Sequence, residues 1–78
     1  MKTQQVHYEG HVQGVGFRYL VKNLAREYDV SGSVENLPDG RVELIVSGDT
    51  SEVKDFLEGI RTSSLKGHIT VESSSEIP

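Results

Sequence analysis

Gly10-His11-Val12-Gln13-Gly14-Val15-Gly16-Phe17-Arg18 is the stretch on which the fold turns. An alternating segment runs into it and a helix-patterned segment leaves it at Phe17, so loop and helix start coincide. The first amides of an α-helix have no intrahelical acceptor, and the helix dipole adds partial positive charge there. Such a start is a ready anion site. Gly14 and Gly16 permit φ > 0 and close approach of a ligand to the backbone. Arg18 adds a permanently charged, planar fork suited to two oxygens of a phosphate or carboxylate. The stretch predicts an oxyanion cradle built from the amides of Gln13, Gly14, Val15, Gly16 and Phe17 with the Arg18 guanidinium. It is not a Walker A loop, since no Lys-Ser/Thr follows, and it lacks the third glycine of a dinucleotide fingerprint.

Upstream, Thr3 to Val12 alternates, with Val6, Tyr8, Gly10 and Val12 on one side and His7, Glu9 and His11 on the other, which predicts a half-buried strand. Downstream, Phe17, Leu20, Val21, Leu24, Ala25 and Tyr28 line one face of a helix that Asp29 ends. Val30 to Asn36 alternates again, Leu37-Pro38-Asp39-Gly40 is a turn, and Arg41 to Ser47 returns as the partner strand of a hairpin. Asp49 with Glu52 three residues on predicts a capping box opening a second helix, whose stripe is Val53, Phe56, Leu57 and Ile60. Gly59 is expected to weaken the end of that helix. Gly67 to Glu72 reads as a fourth strand, and Ser73 to Pro78 as an unstructured tail or connector. The order is βαββαβ. It predicts an α+β, ferredoxin-like antiparallel sheet with two helices on one face and strands one and three in the middle. Strands one and two then run the same way, so Arg18 and Asn36 converge at one edge.

Composition narrows the function. Seventy-eight residues make one small domain spanning 1–78, and the net charge of −4 argues against a nucleic-acid binder. An RNA-recognition version of this fold also needs stacking aromatics on its central strands, whereas strand three offers Arg41, Glu43, Ile45 and Ser47 outward. There is no cysteine for a disulfide or a thiolate metal site, and no apolar run long enough for a signal or a membrane helix. His7, His11 and His68 fall at outward strand positions without a second ligand at metal spacing, and are expected to be solvated surface histidines. Lys22 and Arg26 continue Arg18 as a basic ridge at i+4 and i+8.

The spelling of the loop is more specific than its glycines. Gly10-x-Val12-Gln13-Gly14-Val15-x-Phe17-Arg18 resembles the signature of the acylphosphatases. Gly32-x-Val34-x-Asn36-x-x-x-Gly40-x-Val42, followed after five residues by Gly48, is similar to the family's second signature, in the same order and spacing. The resemblance implies a small cytoplasmic, monomeric hydrolase that cleaves the carboxyl-phosphate bond of acyl phosphates without metal or cofactor. It implies phosphate binding by Arg18 and orientation of the attacking water by Asn36, with phosphate or sulfate competing for the cradle. Nucleic acid and membrane are not expected partners. The alternative is a catalytically silent module of the same fold that binds a small ligand or anion. Ser33 stands where the family has an aromatic, and Glu35 where it has a basic or neutral residue. The family also runs on into a further C-terminal strand, whereas this chain stops at Pro78, which predicts low thermal stability.

Overall fold

The computed structural model describes all residues, 1–78. Its elements are β1 (Lys2–Gly10), α1 (Phe17–Ala25), β2 (Val30–Asn36), β3 (Val42–Gly48), α2 (Thr50–Arg61), a 3₁₀ turn over Lys66–His68, and β4 (Ile69–Ile77). The sheet order is β2-β3-β1-β4, and every neighbouring pair is antiparallel. This is the ferredoxin-like arrangement, with β1 and β3 central and both crossovers helical.

Alternation decides which face is covered. Val6 and Tyr8 of β1, Val34 of β2, and Val42, Leu44 and Val46 of β3 are all buried. Phe17 and Val21 of α1 and Val53, Phe56, Leu57 and Ile60 of α2 close over them in one cluster. The Tyr8 and Phe17 rings, 5.0 Å apart between centroids, join sheet to helix, and those of Tyr28 and Phe56, 5.8 Å apart, join the turn after α1 to α2. The Phe17 end of the loop is thereby anchored in the core.

Several expectations need correction. α1 stops at Ala25, three residues short of Tyr28, because the chain tightens into i→i−3 bonds from Arg26, Glu27 and Tyr28 to Asn23, Leu24 and Ala25. The capping box does not form. Asp49 makes no side-chain cap bond, and Glu52 instead accepts the Asp29 amide at 2.7 Å, fastening the end of the α1 turn to α2. Gly59 lets α1 and α2 approach, since a Cβ there would meet the Tyr28 hydroxyl at 3.1 Å and Leu24 Cδ2 at 3.2 Å.

The largest revision concerns the C-terminal segment. Ser73 to Ile77 is ordered strand, paired with β1 from Thr3↔Ile77 to Tyr8↔Glu72 and on to Gly10↔Ile69. Ladder hydrogen bonds to β1 hold it, and as an edge strand with one polar face it needs few apolar side chains. His7 also departs from the solvated reading. Register places it opposite Glu43, and its Nε2 lies 2.9 Å from Glu43 Oε2, with Gln5 Nε2 donating to the same oxygen at 3.2 Å. Glu35 faces Glu43 from the other side, so these two contacts offset a like-charge cross-strand pair.

Candidate active site

The loop between β1 and α1 is held at both ends and open in the middle. Val12 and Phe17 are buried, whereas Gly14 and Gly16 are exposed. Both glycines have positive φ, 77° and 80°, and nothing lies within 4 Å of a Cβ built on either. Backbone conformation, not crowding, is therefore what requires glycine at these positions. Gly16 is itself the residue preceding α1, in the left-handed region, and its carbonyl accepts the first helical bond, from Leu20 at 3.0 Å.

That geometry leaves the amides of Gln13 through Tyr19 without any acceptor in the chain. They cluster at the positive end of α1, which carries no acidic residue in its first turn. Arg18 is exposed and forms no ion pair, and the same holds for Lys22 one turn on. In a chain with net charge −4, two unpaired cations beside a row of free amides form a local positive field.

Arg18 and Asn36 meet in one cleft of ≈ 350 Å³. Its walls are Gly14, Gly16, Arg18, Tyr19, Lys22 and Asn36, with Val12 and Phe17 contributing apolar surface, and no carboxylate lines it. Asn36 reaches it as the last residue of β2, on the same face as buried Val34. The parallel run of β1 and β2 thus brings the two side chains to one end of the sheet.

Two residues of the predicted cradle do not line the cleft. Val15 packs half-buried against the core. Gln13 turns its carboxamide away, and Nε2 donates to the carbonyls of Leu37 and Arg41, 2.9 Å each. Those carbonyls belong to the β2–β3 turn that follows Asn36, so Gln13 ties the loop to the strand end bearing Asn36. The turn is itself braced, with Arg41 N donating to Asp39 Oδ1 at 3.1 Å and Arg41 Nε to Oδ2 at 2.8 Å. These bonds hold the Asp39 carboxyl below its ordinary pKa range.

Tyr19 and Lys22 are cleft residues that sequence reading did not assign. A tyrosine off the apolar stripe and next to Arg18 was the available signal, and Tyr19 is 76 % exposed. Tertiary structure also sets His11 beside His68, with ring centroids 5.7 Å apart, a proximity no local spacing announced. No group of three or more His, Cys, Asp or Glu side chains gathers at metal-binding distance.

The acylphosphatase family model matches residues 4–78. The chain belongs to the acylphosphatase family. An acylphosphatase of Archaeoglobus fulgidus is 41% identical over 62 residues, covering 80% of this chain and 70% of that protein. One from Lactobacillus johnsonii is 39% identical over 70 residues, covering 88% and 77% respectively. The crystal structure of the Bacillus subtilis acylphosphatase superposes with a TM-score of 0.90 at 35% identity, covering 99% of this chain and 86% of that one. The protein is accordingly an enzyme of the acylphosphatase class, and the silent-module alternative is not favoured.

Proposed function

We propose that the cleft binds the phosphoryl group of an acyl phosphate through the free amides of Gly14, Gly16 and Phe17 and the Arg18 guanidinium, while the Asn36 carboxamide aligns the attacking water. The water oxygen bonds to phosphorus and the P–O bond to the acyl oxygen breaks, releasing the carboxylate. One water proton passes to a phosphoryl oxygen, so an acyl phosphate dianion and water become a carboxylate and dihydrogen phosphate. A carboxylate leaves readily, so catalysis reduces to holding the phosphoryl group in line and stabilising charge on its oxygens. Fixed amides and a guanidinium do both without reorganising. Asn36 offers a carbonyl acceptor and an amide donor but is a poor base, consistent with the substrate's own phosphate taking the proton. The reaction so written calls on no metal or cofactor.

One observation carries this reading: free amides, an unpaired Arg18 and Asn36 share a cleft that no carboxylate lines. Phosphate and sulfate are expected to compete with substrate for it. A cytoplasmic monomer belongs to the same reading, supported by the family resemblance. Hydrolysis of benzoyl phosphate tests it. Arg18→Gln should abolish turnover, and Asn36→Ala should lower kcat by on the order of 10²-fold, as loss of one preorganised donor does. Turnover surviving Arg18→Gln would remove that residue from the mechanism.

A further inference from the structure

A second, apolar trough leads away from the cleft between α1 and β2. Arg18 and Lys22 lie one turn apart on α1, and Asn36 and Val34 share a face of β2, so the two elements flank one space along their length. At the Arg18 end it is the polar cleft. Farther along, it is lined by Val21, Ala25, Val34, Leu44 and Phe56, with a volume of ≈ 80 Å³. Lys22 lines both parts. β2 is an edge strand, so the trough opens to solvent along its unpaired side.

We propose that this trough is the acyl-chain subsite, and that the enzyme prefers acyl phosphates carrying a short saturated chain. The inference rests on the cleft being the phosphoryl site. An acyl phosphate is polar at one end and apolar at the other, and the cleft and the neighbouring trough differ in the same way. With the phosphoryl group at Arg18, the acyl carbonyl passes Lys22, whose stem suits an apolar wall and whose ammonium suits the developing carboxylate. The trough's volume is several times the ~10–15 Å³ that a single water-sized group requires, so it takes a short chain of a few carbons. Tyr19 is the competing wall, but it is 76 % exposed and offers little apolar enclosure.

kcat/KM for acetyl, butyryl and hexanoyl phosphate tests the assignment. A half-buried methylene is expected to raise it about twofold, so butyryl phosphate should exceed acetyl phosphate about fourfold and hexanoyl should add little. Ala25→Leu, which fills the trough, should bring the butyryl-to-acetyl ratio near one. A flat series in the unmodified enzyme overturns the subsite and leaves the phosphoryl reading intact. So does a folded Ala25→Leu enzyme that keeps its ratio, or a ratio lost only in Tyr19→Ala. No hydrolysis of any of the three overturns the phosphoryl reading and the subsite with it. Titrating the unmodified protein with butyrate gives a readout independent of any variant's folding. Methyl shifts at Val21, Ala25 and Val34 are expected, and shifts confined to Tyr19 would overturn the proposal.

Discussion

At the scale of single residues, Gln13 separates positioning from stability. Its two bonds join the loop to the turn after Asn36, and both acceptor residues are only partly buried, so water can replace the lost donor. Gln13→Leu should lower kcat/KM for benzoyl phosphate by roughly 10-fold or more through misplacement of Arg18 against Asn36. The same change should cost only about 1 kcal/mol of stability, measured by urea unfolding. Tyr8 behaves the opposite way. Its hydroxyl is buried with no hydrogen-bond partner. Burial, aided by Glu72 and opposed by Arg61, raises its pKa above the ordinary value of about 10. The folded state therefore favours the neutral phenol more than the unfolded state does. This contribution is intact below about pH 10 and is lost as pH rises beyond it. Tyr8→Phe is expected to be neutral or stabilising by about 1 kcal/mol at pH 7 and to flatten the fall in stability above about pH 10. A variant that unfolds more easily at neutral pH would mean that the hydroxyl is satisfied in solution.

Among elements, β4 is the one that local pattern misjudged. Its serines have weak strand propensity, and only the open edge of β1 calls them into the sheet. Arg61 at the end of α2 then clamps it, with Nε donating to Glu72 Oε1 at 3.0 Å and Nη2 to Oε2 at 2.8 Å, while Nη1 holds Glu58 at 2.8 Å. The two carboxylates push the guanidinium pKa further above its already high value. Arg61 is nearly half exposed, so solvent screens the pair, and Glu72→Gln should cost only about 1 kcal/mol. Hydrogen exchange should localise the loosening to the β1–β4 ladder and leave β2–β3 protected. Exchange accelerating equally in both ladders would show that β4 does not open as a separate unit. α1 offers the contrast, because its start was legible to the residue and its end was not. Phe17 follows a glycine that no other residue replaces without strain, whereas no glycine or proline stops the chain after Ala25.

For the molecule as a whole, a small core and a local anion site act together. The buried side chains form one cluster spanning both layers, and a domain of this size hides a smaller share of its surface than larger ones do. A single cooperative thermal transition is expected, with a midpoint no higher than the ~45–65 °C of ordinary mesophilic domains. Phosphate bound only by the folded state should raise that midpoint. At a concentration 100 times its dissociation constant it would add about 2.7 kcal/mol, and Arg18→Gln should erase the gain. Calorimetry with and without phosphate checks both statements. A midpoint unmoved by phosphate would leave the cradle without its ligand.

The sequence by itself determined the βαββαβ order, the inward faces of β1, β2, β3 and α2, and the identity of the loop, because each is written in periodicity or in glycine chemistry over a few adjacent residues. Arg18 and Asn36 were legible for the same reason, through two ungapped motifs. Only the tertiary structure decided that Ser73–Ile77 is strand, that Glu52 fastens Asp29, that His7 leans on Glu43, and that Gln13 braces the turn beyond Asn36. Each of these depends on a partner more than twenty residues away along the chain, and a hydrogen bond across that separation leaves no trace in local spacing. The acyl trough is of the same kind: its walls come from α1, β2, β3 and α2, and it exists only once they are packed.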